Sequence, residues 1–101
     1  MPREHERVPY RTEILLDFES GRHEARISDL SEGGCYVDCW AGVQPGDTVQ
    51  FEIVLPEGGR LPVTGEVAYA FEGLGFGVKF SDMGEAERAA LRELVAAEAV
   101  A

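Results

Sequence analysis

Two short groups of residues in this chain have the types and spacing that suit binding of an anionic ligand. The first is Arg3 and Arg7, and the second is the pattern Asp-x-Ser-x-x-Gly formed by Asp29, Ser31 and Gly34. Guanidinium groups bind phosphate oxygens through paired hydrogen bonds, and a carboxylate accepts hydrogen bonds from adjacent N–H donors. Each group also has a plain alternative, which is a solvated charged arm for the first and a side-chain-stabilised turn for the second.

The spacing of apolar residues predicts the elements that position these groups. Apolar and polar residues alternate with the period of half-buried strands over 10–18, 23–30, 35–39, 48–55, 61–69 and 75–80. Within the fifth strand the apolar period runs on to Tyr69, and Gly65 marks a predicted bulge or bend. Six short strands at regular spacing favour an all-β fold, an antiparallel barrel that leaves few exposed edges.

The last part of the chain has a different pattern. Residues 82–85 read Asp-Met-Gly-Glu, which is the spacing of a capping box, and the residues after them are rich in helix formers. We therefore expect a C-terminal α-helix over about 82–99. Leu91, Leu94 and Val95 give this helix a narrow apolar stripe that would close over one side of the barrel.

Length and composition narrow the function classes. With 101 residues the chain suits one domain, so we divide it into an N-terminal arm (1–9) and a barrel with its helix (10–101). The net charge of −10 disfavours DNA, RNA and anionic membranes as partners. No apolar run is long enough to span a membrane and no secretory signal precedes the arm, so we expect no membrane insertion and a cytoplasmic protein.

The two cysteines and two histidines point to no metal or redox chemistry. Cys35 and Cys39 lie four positions apart in a predicted strand, which places their Cα atoms roughly 13 Å apart and excludes a disulfide. His5 and His23 do not complete a usual zinc spacing with them. We expect reduced thiols in a reducing compartment, with no metal and no cofactor.

Taken together and in this order, the two motifs resemble those of the PilZ domain family. The family has an Arg-x-x-x-Arg arm and an Asp/Asn-x-Ser-x-x-Gly turn on a six-stranded barrel, and here these are residues 3–7 and 29–34. Residues 8–11 (Val-Pro-Tyr-Arg) and 75–80 (Gly-Phe-Gly-Val-Lys-Phe) extend the likeness over nearly the whole chain.

The resemblance implies a receptor for cyclic di-GMP, a bacterial second messenger. In that case Arg3 and Arg7 would bind phosphates and stack on purine faces. Asp29 would accept from the N–H donors of a guanine edge, and Ser31 would donate to a phosphate or base acceptor. Gly34 would let the ligand approach the backbone without a Cβ in the way.

Two further residues bear on how the ligand would be held. Tyr69 stands where many relatives carry a Trp, and it either flanks the ligand or packs in the core. Pro2 stands where some relatives have an additional arginine and bind two intercalated ligands, so this chain favours a single ligand.

The resemblance implies an adaptor whose loose arm becomes ordered on ligand binding and signals to an unidentified partner protein. The alternative is a PilZ-like interaction module that binds protein without nucleotide. An enzyme is not expected, because neither His lies in a nucleophile motif, Ser31 lacks the Gly-x-Ser-x-Gly elbow and no carboxylate pair stands out.

Overall fold

The fold is a closed antiparallel barrel of six strands followed by one helix. The computed structural model describes residues 7–18, 21–39 and 42–99, with the backbone alone described for residue 18. The strands are β1 (Val8–Phe18), β2 (Gly21–Leu30), β3 (Gly34–Asp38), β4 (Thr48–Val54), β5 (Arg60–Phe71) and β6 (Gly75–Ser81), and the helix is α1 (Glu85–Ala99). Neighbours around the barrel follow the order β1-β2-β3-β6-β5-β4. The predicted fold class is confirmed.

Alternation along the strands fills the interior of the barrel. In β4, Val49, Phe51 and Ile53 are buried while the residues between them are exposed. Ile27 and Phe76 are also almost fully buried, in the second and sixth strands. Because successive strand side chains point to opposite faces, the period of two in the sequence translates directly into one apolar core.

The first strand begins earlier than its alternation indicates. β1 starts at Val8, two residues before the predicted boundary at Tyr10, and Val8 pairs with Leu30 of β2. The Val8 side chain is buried, so its packing draws the end of the predicted arm into the sheet. The predicted arm of 1–9 is thus shortened at its C-terminal end, and its residues 1–6 lie outside the described ranges.

The helix begins later than predicted. Asp82 has a positive φ of 53° and α1 starts at Glu85. The N–H of Arg88 donates to the carbonyl of Gly84 at 3.0 Å, which makes Gly84 the residue that precedes the helix. The predicted start at 82 is therefore wrong by three residues, because the left-handed backbone at Asp82 belongs to the turn out of β6.

The helix packs against the barrel through its predicted stripe. Leu91, Leu94 and Val95 are buried, and α1 contacts β1 and β5. Arg92 forms an ion pair of 3.5 Å with Glu32, which lies in the turn between β2 and β3. Within the described ranges, no helix is both long enough and apolar enough to cross a membrane.

An irregularity in β5 changes the direction of Tyr69. The register shifts between Val67 and Tyr69, whereas Gly65 pairs regularly with Val49 and Phe80. The predicted bulge at Gly65 is therefore misplaced; a Cβ there would run into the Val78 side chain. A bulge adds one residue and reverses the faces beyond it, so Tyr69 is 41% exposed instead of continuing the inward row.

The ladder between the first and fourth strands is the shortest of the barrel in the described part of the chain. In the described part of the chain, β1 and β4 share one ladder pair, Asp17 with Gln50. The hydroxyl of Tyr10 adds a link across this seam by donating to the carbonyl of Val54 at 2.6 Å.

Candidate functional site

The turn between β2 and β3 is held by Ser31. Its buried hydroxyl accepts hydrogen bonds from the N–H groups of Gly33 (3.2 Å) and Gly34 (3.1 Å) and donates to the Gly34 carbonyl (3.2 Å). The Ser31 N–H donates to that same carbonyl at 2.8 Å, and the Phe80 N–H donates to the Gly33 carbonyl at 2.9 Å. The hydroxyl is thus engaged within the turn, which explains why a short side chain that both donates and accepts stands here.

The charged pair of the site is Arg7 with Asp29. The Nη1 of Arg7 donates to Oδ1 of Asp29 at 2.5 Å, although the two residues lie 22 positions apart in the chain. Asp29 pairs with Pro9 across β1 and β2, so the start of β1 brings Arg7 to the carboxylate. Both side chains are about one third exposed, at 32% and 37%, so an incoming ligand can reach them. We call this place, Arg7 with Asp29 and the turn 31–34, the charged corner.

Gly34 has a packing reason to lack a side chain. A Cβ on Gly34 would overlap the carbonyl oxygen of Val78, and the neighbouring backbone atoms of β6 lie within 3.4 Å. Gly34 is buried and pairs with Lys79, so this glycine allows β3 and β6 to approach closely. Its expected role in admitting a ligand stays a prediction, and strand packing is the role that the described contacts support.

A row of outward residues leads from the charged corner across the sheet. Asp29 pairs with Tyr36, Tyr36 pairs with Gly77, and Gly77 pairs with Tyr69. The rings of Tyr36 and Tyr69 have centroids 6.4 Å apart, and Tyr69 meets Phe71 edge-on at 5.6 Å. Sequence reasoning missed Tyr36, although counting the register from the turn would have placed it beside Asp29.

The thiol nearest the charged corner is chemically quiet. Cys35 is fully buried, and burial raises the pKa of its thiol far above the ordinary value, with a further increase from the negative charge of Asp29. A thiol that stays protonated is a poor nucleophile. Neither Cys35 nor Cys39 is part of a disulfide, and Sγ of Cys39 contacts the carbonyl oxygen of Glu24 at 3.8 Å.

A groove elsewhere on the barrel contains none of the predicted site residues. It is an open groove of about 820 Å³ along β1, β4 and β5. Glu13 and Glu24 line it, and its arginines Arg22 and Arg60 are each paired with an acid, at 2.9 and 3.5 Å. A groove with excess negative charge repels an anionic ligand, so the charged corner is the better candidate for binding one.

The structure thus brings only part of the predicted site together. Arg7 and Asp29 are in contact, and Ser31 and Gly34 form the turn directly after Asp29. Tyr69 lies on the same outer face, three strands away from Asp29. Arg3 lies outside the described residues.

A six-stranded closed barrel with a terminal helix and this charged corner belongs to the class of small antiparallel β-barrel domains. Comparison with known families identifies it further: the sequence profile of the PilZ domain matches residues 2–97. This chain is therefore a member of the PilZ domain family. Among curated proteins no sequence matches it.

Two solved structures show the same fold. One is the Bacillus subtilis inhibitor of motility (MotI/DgrA), with a TM-score of 0.85 and 17% identity over 99% of this chain and 52% of that one. The other is the PilZ domain of CeSA from a cellulose-synthesizing bacterium, with a TM-score of 0.70 and 21% identity over 91% of this chain and 96% of that one. This chain thus spans about half the length of the inhibitor of motility.

Proposed function

We propose that this chain is a receptor for cyclic di-GMP that passes the binding event to a partner protein. The observation that carries the proposal is the contact of Arg7 with Asp29 at one partly exposed corner. The ligand has two phosphodiesters and two guanines, and each guanine has adjacent N–H donors on one edge. A site for it needs a cation and a carboxylate side by side, and the charged corner supplies both.

The ligand must compete with the ion pair that already exists. A partly exposed pair is worth about 0.2–1 kcal/mol, while each hydrogen bond to a charged group contributes about 1.5–3 kcal/mol. Exchanging one Arg7–Asp29 contact for an arginine–phosphate and a carboxylate–guanine contact therefore favours the bound state. In this exchange Ser31 and Gly34 would act by holding the turn that fixes Asp29.

The location of Arg7 suggests how binding could become a signal. Arg7 directly precedes β1, and Arg3 lies four positions earlier in the arm. A phosphate that engages both arginines would bring the arm against the barrel and create a surface that the unliganded protein lacks. This receptor would work in the cytoplasm, where its two buried thiols stay reduced.

The partner that reads this surface is expected to be a protein. The net charge of −10 opposes binding to nucleic acid, and the family membership supports a binding adaptor without catalytic activity.

Titration calorimetry with cyclic di-GMP tests the proposal by comparing two arginine variants. Arg7→Ala removes the guanidinium group that would bind a phosphate of the ligand. It should weaken binding of cyclic di-GMP by about 10- to 150-fold, the equivalent of one charge-assisted hydrogen bond. Arg22→Ala is the matched control, because Arg22 also pairs with an aspartate, Asp17 at 2.9 Å, but lies on the groove side of the barrel. It should bind like the wild type.

Two results would contradict the receptor assignment. One is the absence of heat with the wild-type protein at saturating ligand, which would favour the nucleotide-independent interaction module. The other is an equal loss of affinity in Arg7→Ala and Arg22→Ala, which would mean that the loss comes from general surface charge.

A further inference from the structure

The outer face beside the charged corner carries an aromatic surface. The side chain of Tyr36 lies over Gly75, where a Cβ would come within 3.0 Å of its ring and hydroxyl, and the ring of Tyr69 lies over Gly77 in the same way. Because these two positions of β6 are glycines, the rings can pack against the sheet, and they shield its backbone from solvent. Tyr36 is half-buried and Tyr69 is 41% exposed, so both rings are partly accessible to a ligand.

Tyr36 is the ring nearest to the acceptor carboxylate. It is the register partner of Asp29, so one strand spacing of about 4.8 Å separates them. The backbone of Tyr69 lies two further strand spacings along the row, about 10 Å from the backbone of Tyr36. The two side chains lean toward each other, so that their ring centroids are 6.4 Å apart. A base that turns its donor edge to Asp29 and lies along the sheet would therefore cover Tyr36 first.

We infer that Tyr36 is a ligand-contacting residue on which a purine base stacks while Asp29 accepts hydrogen bonds from the edge of that base. Tyr69 extends the same surface toward β5. This inference rests on the proposed function and adds one residue to it, Tyr36, whose stacking would contribute to the preference for purine over pyrimidine bases. Larger bases gain more from stacking because they cover more of the ring.

The charge state of Tyr36 is compatible with an anionic ligand. Burial raises the pKa of its phenol, and the negative charges of Asp38 and Asp29, together with Tyr69, raise it further. The ring therefore stays neutral at physiological pH and brings no negative charge toward the phosphates. A neutral aromatic face is also what a base stacks on.

Calorimetry with cyclic di-GMP and cyclic di-UMP tests the inference in four proteins. Tyr36→Ala should weaken cyclic di-GMP binding by about 10- to 100-fold, as expected for loss of one base–aromatic stack, and should narrow the preference over cyclic di-UMP. Tyr36→Phe keeps the ring and should retain the wild-type affinity. Phe71→Ala is the matched control, because Phe71 is a 54% exposed aromatic residue on the same face that lies outside the row of Asp29.

Ring signals in the wild-type protein provide a readout that does not depend on the folding of a variant. On addition of cyclic di-GMP the NMR resonances of the Tyr36 ring should shift upfield more than those of Phe71. Binding by the wild type with unmoved Tyr36 ring signals, or equal affinities for Tyr36→Ala and Phe71→Ala, would overturn this inference and leave the receptor assignment intact. Absence of wild-type binding would overturn both.

Discussion

Gly34→Ala offers the sharpest test of how the turn after Asp29 is built. The added Cβ would overlap the Val78 carbonyl oxygen and lie 3.2 Å from its carbon and 3.4 Å from Cα of Lys79. All three atoms belong to the backbone of β6, so no side-chain rotation can relieve the overlap. The strands must separate at the Gly34–Lys79 pair instead.

The size of the effect follows from two opposing contributions. Overpacking costs about 1–3 kcal/mol, and a rigid backbone neighbour puts this site in the upper half of that range. Replacing Gly by Ala also restricts the unfolded chain and returns about 0.4–1 kcal/mol. The free energy of unfolding should therefore fall by about 1–2.6 kcal/mol, which at about 4–8 °C per kcal/mol for a domain of this size lowers Tm by about 4–20 °C.

Urea denaturation of Gly34→Ala and Gly42→Ala measures this contribution with a matched control. Among the described residues, a Cβ on Gly42 would meet no atom within 4 Å, and Gly42 does not belong to the glycines with a positive φ, so its replacement should leave stability unchanged or raise it by up to about 1 kcal/mol. Equal midpoints for the two variants would refute the close approach of β3 and β6. An altered slope of the transition would mean a change in the unfolded or native ensemble instead.

Two further changes test the core and the seam. The pKa of the buried Cys35 thiol is raised, so its contribution to stability is complete below the unfolded value of 9.0 and is lost as pH rises above it. Cys35→Ala should therefore flatten the fall in unfolding free energy between about pH 8 and about pH 10.5. Parallel curves of unfolding free energy against pH for the variant and the wild type would exclude ionisation of Cys35 as the cause of the fall. Tyr10→Phe removes the hydrogen bond to the Val54 carbonyl and should cost about 0.5–1.5 kcal/mol in urea denaturation, whereas unchanged stability would mean that water replaces the hydroxyl.

Most of the fold could be predicted from the sequence because its strands are half-buried and alternate regularly. The interior row of β4 and the helix stripe at Leu91, Leu94 and Val95 are where the apolar period places them. The start of the helix was missed because the capping-box spacing at 82–85 ignores backbone conformation, and Asp82 is in the left-handed region. Propensity rules count residues, but φ angles at a turn depend on the strand that feeds it.

The sequence predicted which residues form the candidate site better than it predicted how these residues are arranged. The contact between Arg7 and Asp29 depends on the pairing of β1 with β2, which no local pattern encodes. The outward direction of Tyr69 depends on a bulge after Val67, and a shift of one residue reverses the face of every side chain beyond it. Tyr36 stayed unnoticed because its importance comes from its neighbours across the sheet, not along the chain.

The one ladder pair that the described residues form between β1 and β4 has a consequence for local opening of the barrel. Amide hydrogens along those two facing edges should exchange with solvent sooner than those elsewhere in the sheet, because the ladder that protects them is short. Such an opening would unroll the cylinder into a continuous sheet with β1 and β4 as its borders. The pairs that join Asp29 to Tyr36 and, through Gly77, to Tyr69 lie between β2, β3, β6 and β5, so this row of residues would persist during the opening.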